Sequence, residues 1–465
     1  MATLAEPRPE QAANGGLHLK HWREKLPDDA LDHIPGEGGW PIVGNTLKML
    51  ADPYGFTRRM VATYGPIYKN WAFGGYGVIL VGADANELVL FDRTKTFSSE
   101  QGWGPILDKL FPRGLMLLDF DHHRADRRAL SIAFKPEPMR HYSGSLNRGI
   151  AETVKDWGDK PMQFYPAIKE LTLELAAESF IGLPLGPEAD KINQAFVDMV
   201  QASVAPIRAP LPFTQMRKGV KGREFLVDFF TRETHRRRAE GGGQDMFSQF
   251  ATATHEDGSL MPVDQVVDHM NFLMMAAHDT ITSSATSLIW LLAANPEWQV
   301  RLRDEIVSVT GESGNVDYDD LGKLELVEMA FKEALRLIPP VPSTPRRALK
   351  DFEFHGYHVP AGAQVAIQTQ FVHHMEEHWP EPEKFDPMRF TPEQVKSRHK
   401  FAWVPFGGGA HMCLGLHFAY MQVKILMAQL LTRYSIEIEE GYKPDWQAWP
   451  IPKPKDGLKV TFKSL

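Results

Sequence analysis

The sequence predicts a mainly α-helical protein with small peripheral β-sheets, and three observations carry that expectation. Helical periodicity, with apolar residues returning every three or four positions, dominates from about residue 83 to 337. One such pattern, 263–295, outruns most globular helices. Strand patterns are short and confined to three places: 64–81, 352–370 and the C-terminal tail.

The elements follow in chain order. Residues 33–44, HIPGEGGWPIVG, form a Pro/Gly-rich connector too irregular for helix or strand. From 64 to 81 the pattern reads as two strands around the Gly74-Gly75 turn. The helical region breaks near 102–114, 182–187, 205–212 and 241–243. The patch 352–370 reads as strands with turns at His355-Gly356 and Ala361-Gly362. A Pro-rich irregular stretch over 379–405 precedes a helix at 414–434 and strands at 435–440 and 458–463. Residues 1–32 read as a polar N-terminal arm. With no long polar linker and no internal repeat, 33–465 read as one domain.

Composition excludes several classes. Hydrophobic residues make up 43% and aromatic residues 11%, enough for a large core. A formal charge of −8 argues against a nucleic-acid partner, which a basic surface would serve. The single cysteine, Cys413, forbids an intramolecular disulfide and suits a reducing compartment. The N-terminus has no apolar core of signal-peptide length. A bilayer span needs about 18 consecutive apolar residues. The long helix is interrupted by Asp264, Asp268, Asn271, His278 and Asp279. The expectation is a soluble, cytoplasmic protein without a membrane anchor.

Cys413 carries the strongest local signal. It lies in FGGGAHMCLG, 406–415, at the entry to an apolar helix. Three consecutive glycines let backbone approach a bulky object and free N–H groups to point at one acceptor. A cysteine between such a loop and a helix N-terminus is favoured as thiolate. Alone, a lone cysteine is more often a small buried hydrophobe. With His411 and His417 nearby, a Cys/His nucleophile is also open.

The whole string decides between these readings. It resembles the haem-binding signature of the cytochromes P-450, Phe-x-x-Gly-x-(Arg or His)-x-Cys-x-Gly. It matches at Phe406, Gly409, His411, Cys413 and Gly415, and the likeness runs from about residue 35 to the C-terminus. The resemblance implies haem b with Cys413 as the iron ligand. It also implies a long central helix over the haem and the cysteine loop beneath it.

Distant motifs extend the resemblance. In the central helix, Asp279 and Thr280 match the acid–alcohol pair of the family's oxygen-activation motif. Ala277 stands where glycine is usual and Ile281 where a second hydroxyl is usual. Glu333 and Arg336 share a helix face and resemble the Glu-x-x-Arg motif, with Arg389 as the third member of a structural triad. His123, Arg127, Arg346 and His411 match positions that hold haem propionates; His122, next to His123, competes for that register. Apolar residues at substrate-pocket positions are Trp103, Phe111, Leu117, Met274, Ala277, Val341 and Ile451.

The implied activity is hydroxylation of a lipophilic small molecule (terpenoid, steroid, retinoid or fatty acid) with O2 and two electrons. Gly39-Trp40-Pro41, Tyr64-Gly65-Pro66 and His278-Asp279-Thr280 resemble the microsomal-like branch. No flavin or nicotinamide domain follows Cys413. The electrons are therefore expected from a separate ferredoxin-type iron–sulfur protein with its own reductase, donating to a monomer. Arg124, Arg128, Lys396, Arg398, His399 and Lys400 are the expected basic rim for that partner. A peroxide-driven peroxygenase and a haem-thiolate gas sensor are the nearest alternatives, and the Asp279–Thr280 pair disfavours both. A cysteine hydrolase is the farthest.

Overall fold

The central helix shows how this sequence buries polar residues. Val263–Ala294 is continuous over 32 residues and ends just before Pro296. Along it, hydroxyls donate to their own helix four residues back: Thr280 to the Ala276 carbonyl at 2.8 Å, Thr282 to His278 at 3.0 Å, Ser284 to Thr280 and Thr286 to Thr282 at 2.7 Å. Each hydroxyl is thus satisfied locally, so the helix can run through apolar surroundings. It packs against the helices Phe164–Ala176, Gln215–Glu240 and Glu325–Leu337. These helices, with Pro136–Val154 and the nearly wholly buried Leu416–Leu431, enclose the main apolar core.

A computed structural model describes residues 26–27, 29–183, 186–205 and 207–465. Most of the N-terminal arm lies outside the described residues. Its last part does not behave as an arm, because Leu31, with Ile34 beyond it, is buried under the larger sheet.

That sheet has six strands in the order Gly36–Glu37, Ile67–Ala72, Gly75–Leu80, Gln364–Ile367, Thr344–Ala348 and Phe97–Ser98. The expected hairpin forms, but Ala72 pairs with Gly75. The turn is therefore Phe73-Gly74, with φ of 53° and 88°. Thr344–Ala348 pairs antiparallel with Gln364–Ile367 and seats Arg346 opposite Val365. The sequence pattern passes over this strand because two arginines and a proline interrupt any apolar alternation. The expected turn His355-Gly356 joins Phe352–Phe354 to Tyr357–Val359. A second sheet joins Tyr434–Glu437, Lys459–Ser464 and Pro161–Gln163.

Two expected irregular stretches contain helix. Ser99–Leu107 occupies the start of the expected break at 102–114, opened by the Ser98 hydroxyl accepting from the Gln101 N–H at 2.9 Å. Gly102 serves close approach there: a Cβ would fall 2.6 Å from the Arg346 Cα. Within 379–405, Asp386 and Thr391 cap the short turns Pro387–Phe390 and Pro392–Ser397. Among the described residues no helix is long and apolar enough to cross a membrane.

Candidate active site

The cysteine loop is built by close contact. Gly407 and Gly409 take φ of 69° and 59°, and a Cβ on Gly409 would fall 2.1 Å from the Leu90 carbonyl oxygen. A Cβ on Gly408 would strike the Phe91 ring at 2.6 Å. Gly415 differs, since a Cβ there meets only Phe134, at 3.9 Å. The Cys413 N–H donates to the Phe406 carbonyl at 2.9 Å, and the Phe406 ring lies 5.6 Å from that of Tyr420.

Cys413 combines two properties: it is accessible, yet it lies deep among protein atoms and so faces an internal surface. Burial pushes its thiol up, against the Gly415 N–H and the positive charge of Arg127. The loop and helix end expected to lower it are outweighed by desolvation.

Beside the cysteine stands a cluster of cations and imidazoles. His123 is 2% exposed, and its ring lies tilted against that of His411 with centroids 4.0 Å apart. Its neighbour His122 is exposed, so the helix Phe120–Leu130 turns only one of the pair inward. Burial, then Arg127, holds His123 down to about 4. Burial, then His123 and the two arginines, holds His411 down to about 2. Both rings are therefore neutral among the guanidinium groups of Arg127 and Arg346. Arg346 is 5% exposed. Its guanidinium donates, among the described residues, to the carbonyl of Pro345 at 2.8 Å. Burial lowers it to about 10, with Asp119 opposing. A buried guanidinium bonded mainly to a carbonyl is costly unless an anion completes its shell.

The central helix turns a partly accessible stripe of Leu273, Ala276, Ala277 and Thr280 out of its otherwise buried middle. This three- and four-residue spacing is one helix face. Asp279 lies beside that face, with Oδ1 3.1 Å from Nδ1 of His278 and 3.8 Å from the Lys169 ammonium. Burial pushes its carboxyl up, but the His278 hydrogen bond and the charges of His278, Lys169 and Lys453 prevail and hold it below the usual range. Ile281 points elsewhere, into a small apolar void between helices with Leu171 and Thr172.

Three expected pocket residues do not line an accessible space. Phe111, Leu117 and Met274 are 1%, 2% and 0% exposed and belong to the main core. For Met274 the reason is one helical step: its neighbour Leu273 occupies the accessible stripe. Trp103, Val341 and Ile451, with Ala277, remain partly accessible.

Glu333 and Arg336 are both fully buried and joined by hydrogen bonds of 2.7 and 2.8 Å. Arg389 approaches Glu333 to 3.3 Å. Of the expected basic rim, Arg124, Arg128, Lys396, His399 and Lys400 are exposed. Arg398 is not free, because its guanidinium stacks 3.6 Å from the Trp379 ring centroid.

Sequence reasoning missed Asp119, Lys169 and the ion pairs of Asp268. Asp119 carried one usable signal, an acid four residues before His123.

Comparison with known proteins agrees with this geometry. The family model described as Cytochrome P450 matches residues 34–462. The chain is 36% identical over 452 residues to "Putative cytochrome P450 136" of Mycobacterium tuberculosis, covering 96% of this chain and 91% of that protein. It is 27% identical over 464 residues to "Beta-amyrin 28-monooxygenase" of Solanum lycopersicum, covering 96% and 94%. A solved structure, "Retinoic acid bound cyanobacterial CYP120A1", superposes with a TM-score of 0.84 at 29% identity, covering 93% of this chain and 99% of that one. The chain belongs to the cytochrome P450 family and is a haem-thiolate monooxygenase with haem b as its cofactor.

Proposed function

We propose that Cys413 is the axial iron ligand and that Arg127, Arg346, His123 and His411 receive the two haem propionates. The observation that carries this reading is the company Cys413 keeps: an accessible sulfur in a buried setting, within the field of Arg127, which with Arg346 also acts on the adjoining rings of His123 and His411. The residues fit the group. Haem offers one metal and two carboxylates. The cluster offers one sulfur, two guanidinium groups that make no close ion pair among the described residues, and two imidazoles able to donate. Coordination to a metal removes a thiol's proton outright, so the raised thiol is no obstacle. When bound, haem supplies dioxygen chemistry that places one oxygen atom in the substrate, at a cost of two electrons.

The chain's own residues supply the rest. Thr280 holds a hydroxyl on the accessible stripe, and Asp279, ionised and tethered to His278 and Lys169, is the carboxylate beside it that accepts protons from solvent and relays them. Leu273, Ala276 and Ala277, with Trp103, Val341 and Ile451, give the substrate an apolar wall. A rigid lipophilic terpenoid or retinoid suits that wall. The names of relatives support this class: one structure holds retinoic acid, and other relatives are named for β-amyrin and taxane oxidation. Electrons arrive from a ferredoxin-type protein docking on the exposed cations Arg124, Lys396 and Lys400.

Two measurements test the reading. Cys413→Ser abolishes the thiolate-type spectrum of the reduced carbonyl complex; its retention overturns the ligand assignment. In the intact protein, titration with retinoids, triterpenoids, steroids and fatty acids shifts ferric haem to high spin with the first two classes. A shift confined to the others overturns the substrate class.

A further inference from the structure

Asp119 has connections that its own helix does not explain. It stands at the N-terminus of Phe120–Leu130 but makes no cap there. Its carboxylate crosses instead to the preceding segment, accepting from the Ser98 hydroxyl, the Ser99 N–H at 2.8 Å and the Glu100 N–H at 3.4 Å. Its Oδ1 also lies 3.9 Å from Nε2 of His411, and its charge acts on the buried Arg346. Gly102, in the helix that the carboxylate anchors, presses on the Arg346 backbone. One carboxylate therefore joins the helix Ser99–Leu107 to the start of the helix of His123 and Arg127 and lies beside the cysteine loop, while the helix it anchors abuts the strand of Arg346.

The charges around this point are unequal once a haem is counted. Arg127 and Arg346 are the permanent cations of the cluster. Asp119 offsets one of those cations. Two propionates then bring the anions to three against two cations. A fixed negative charge in a buried setting acts strongly on a neighbouring redox group, and groups behind the direct partners of a metal centre tune it.

We propose that Asp119 is a positioning residue of the haem edge, holding in register the segments that carry His411 and Arg346 and placing there a carboxylate whose charge lowers the reduction potential of the iron. This rests on the reading of Arg346 and His411 as propionate partners. Asp119→Asn keeps the size and an accepting oxygen while removing the charge; Arg346→Gln removes an opposing charge nearby.

The test is a spectroelectrochemical titration of the haem-loaded full chain, with each variant. The midpoint potential rises in Asp119→Asn and falls in Arg346→Gln. If Arg346→Gln falls and Asp119→Asn stays at the wild-type value, the Asp119 proposal is overturned and the propionate reading stands. If neither moves, both are overturned. Should Asp119→Asn fail to hold haem, Ser98→Ala, titrated at alkaline pH where the carboxylate keeps its charge, removes one hydrogen bond from it. The expected result is then a lower potential than wild type, and an unchanged one overturns the proposal.

Discussion

Asp268 in the central helix accepts a 3.0 Å hydrogen bond from Nε of Arg113, in the loop that follows the helix Ser99–Leu107. Its other oxygen accepts from Arg223 at 3.2 Å, and Arg223 also holds the Leu110 carbonyl at 3.2 Å. Farther along, Arg208 donates to the Ile106 carbonyl at 2.7 Å and Lys109 to the Arg208 carbonyl at 2.8 Å. The loop, the helix Gln215–Glu240 and the central helix are thus tied at one carboxylate.

Asp268→Asn weakens both arginine contacts at this junction. Hydrogen bonds to charged groups contribute about 1.5–3 kcal/mol each, and 1.4 kcal/mol is about tenfold in an equilibrium constant. Loop opening, and with it ligand exchange, accelerates by roughly tenfold or more. Stopped-flow recording of the haem spin shift measures it; exchange at the wild-type rate would show that the loop does not depend on Asp268.

The Arg336 guanidinium makes two bonds to Glu333 and one each to the carbonyls of His373, at 2.9 Å, and Lys384, at 3.2 Å. Burial pushes the Glu333 carboxyl up, with Arg336 opposing. Arg336→Met leaves that carboxylate stranded, at a cost of about 3–5 kcal/mol. Arg389 is 10% exposed with a looser approach to Glu333, so Arg389→Met costs less. Thermal unfolding with haem content as second readout should rank Arg336→Met well below Arg389→Met. Equal losses would mean that the network acts as one undivided unit.

What was legible in the sequence was local. The cysteine loop, Asp279-Thr280 and Glu333…Arg336 each lie within about three turns of chain, where backbone periodicity fixes relative direction. His123 over His122 was legible in principle, because His123, Asp126 and Leu130 share the buried face of one helix. Arg113–Asp268 and Asp119–His411 were not. Each joins elements far apart in sequence, and tertiary packing alone selects the partner. Met274 failed for a smaller reason, the roughly 100° that separates adjacent residues on a helix.

Glu100 carries a pH dependence with a definite sign. Burial first, then Asp119, raises its carboxyl from 4.5 to about 7. The folded state therefore holds a proton that the unfolded chain releases above pH 4.5. Stability from this group is full below that value and is lost as pH rises through about 7. A shift of this size corresponds to about 1–3 kcal/mol once partial exposure is discounted. Glu100→Gln should match wild type in unfolding midpoint at pH 5 and exceed it at pH 8. A gain independent of pH would assign the effect to packing instead.

Thr280 presents the last test, because its hydroxyl has a structural use as well as a proposed chemical one. It donates to the Ala276 carbonyl at 2.8 Å, a bond an alanine helix does without at little cost. Thr280→Ala should keep the fold and the carbonyl spectrum. Product formed per electron pair should fall severalfold, with hydrogen peroxide making up the difference, and Thr280→Ser should restore much of the yield. Simultaneous measurement of reductant, product and peroxide decides it. If Thr280→Ala couples electrons to product as wild type does, the hydroxyl serves the helix alone, and proton delivery must pass through Asp279 by another route.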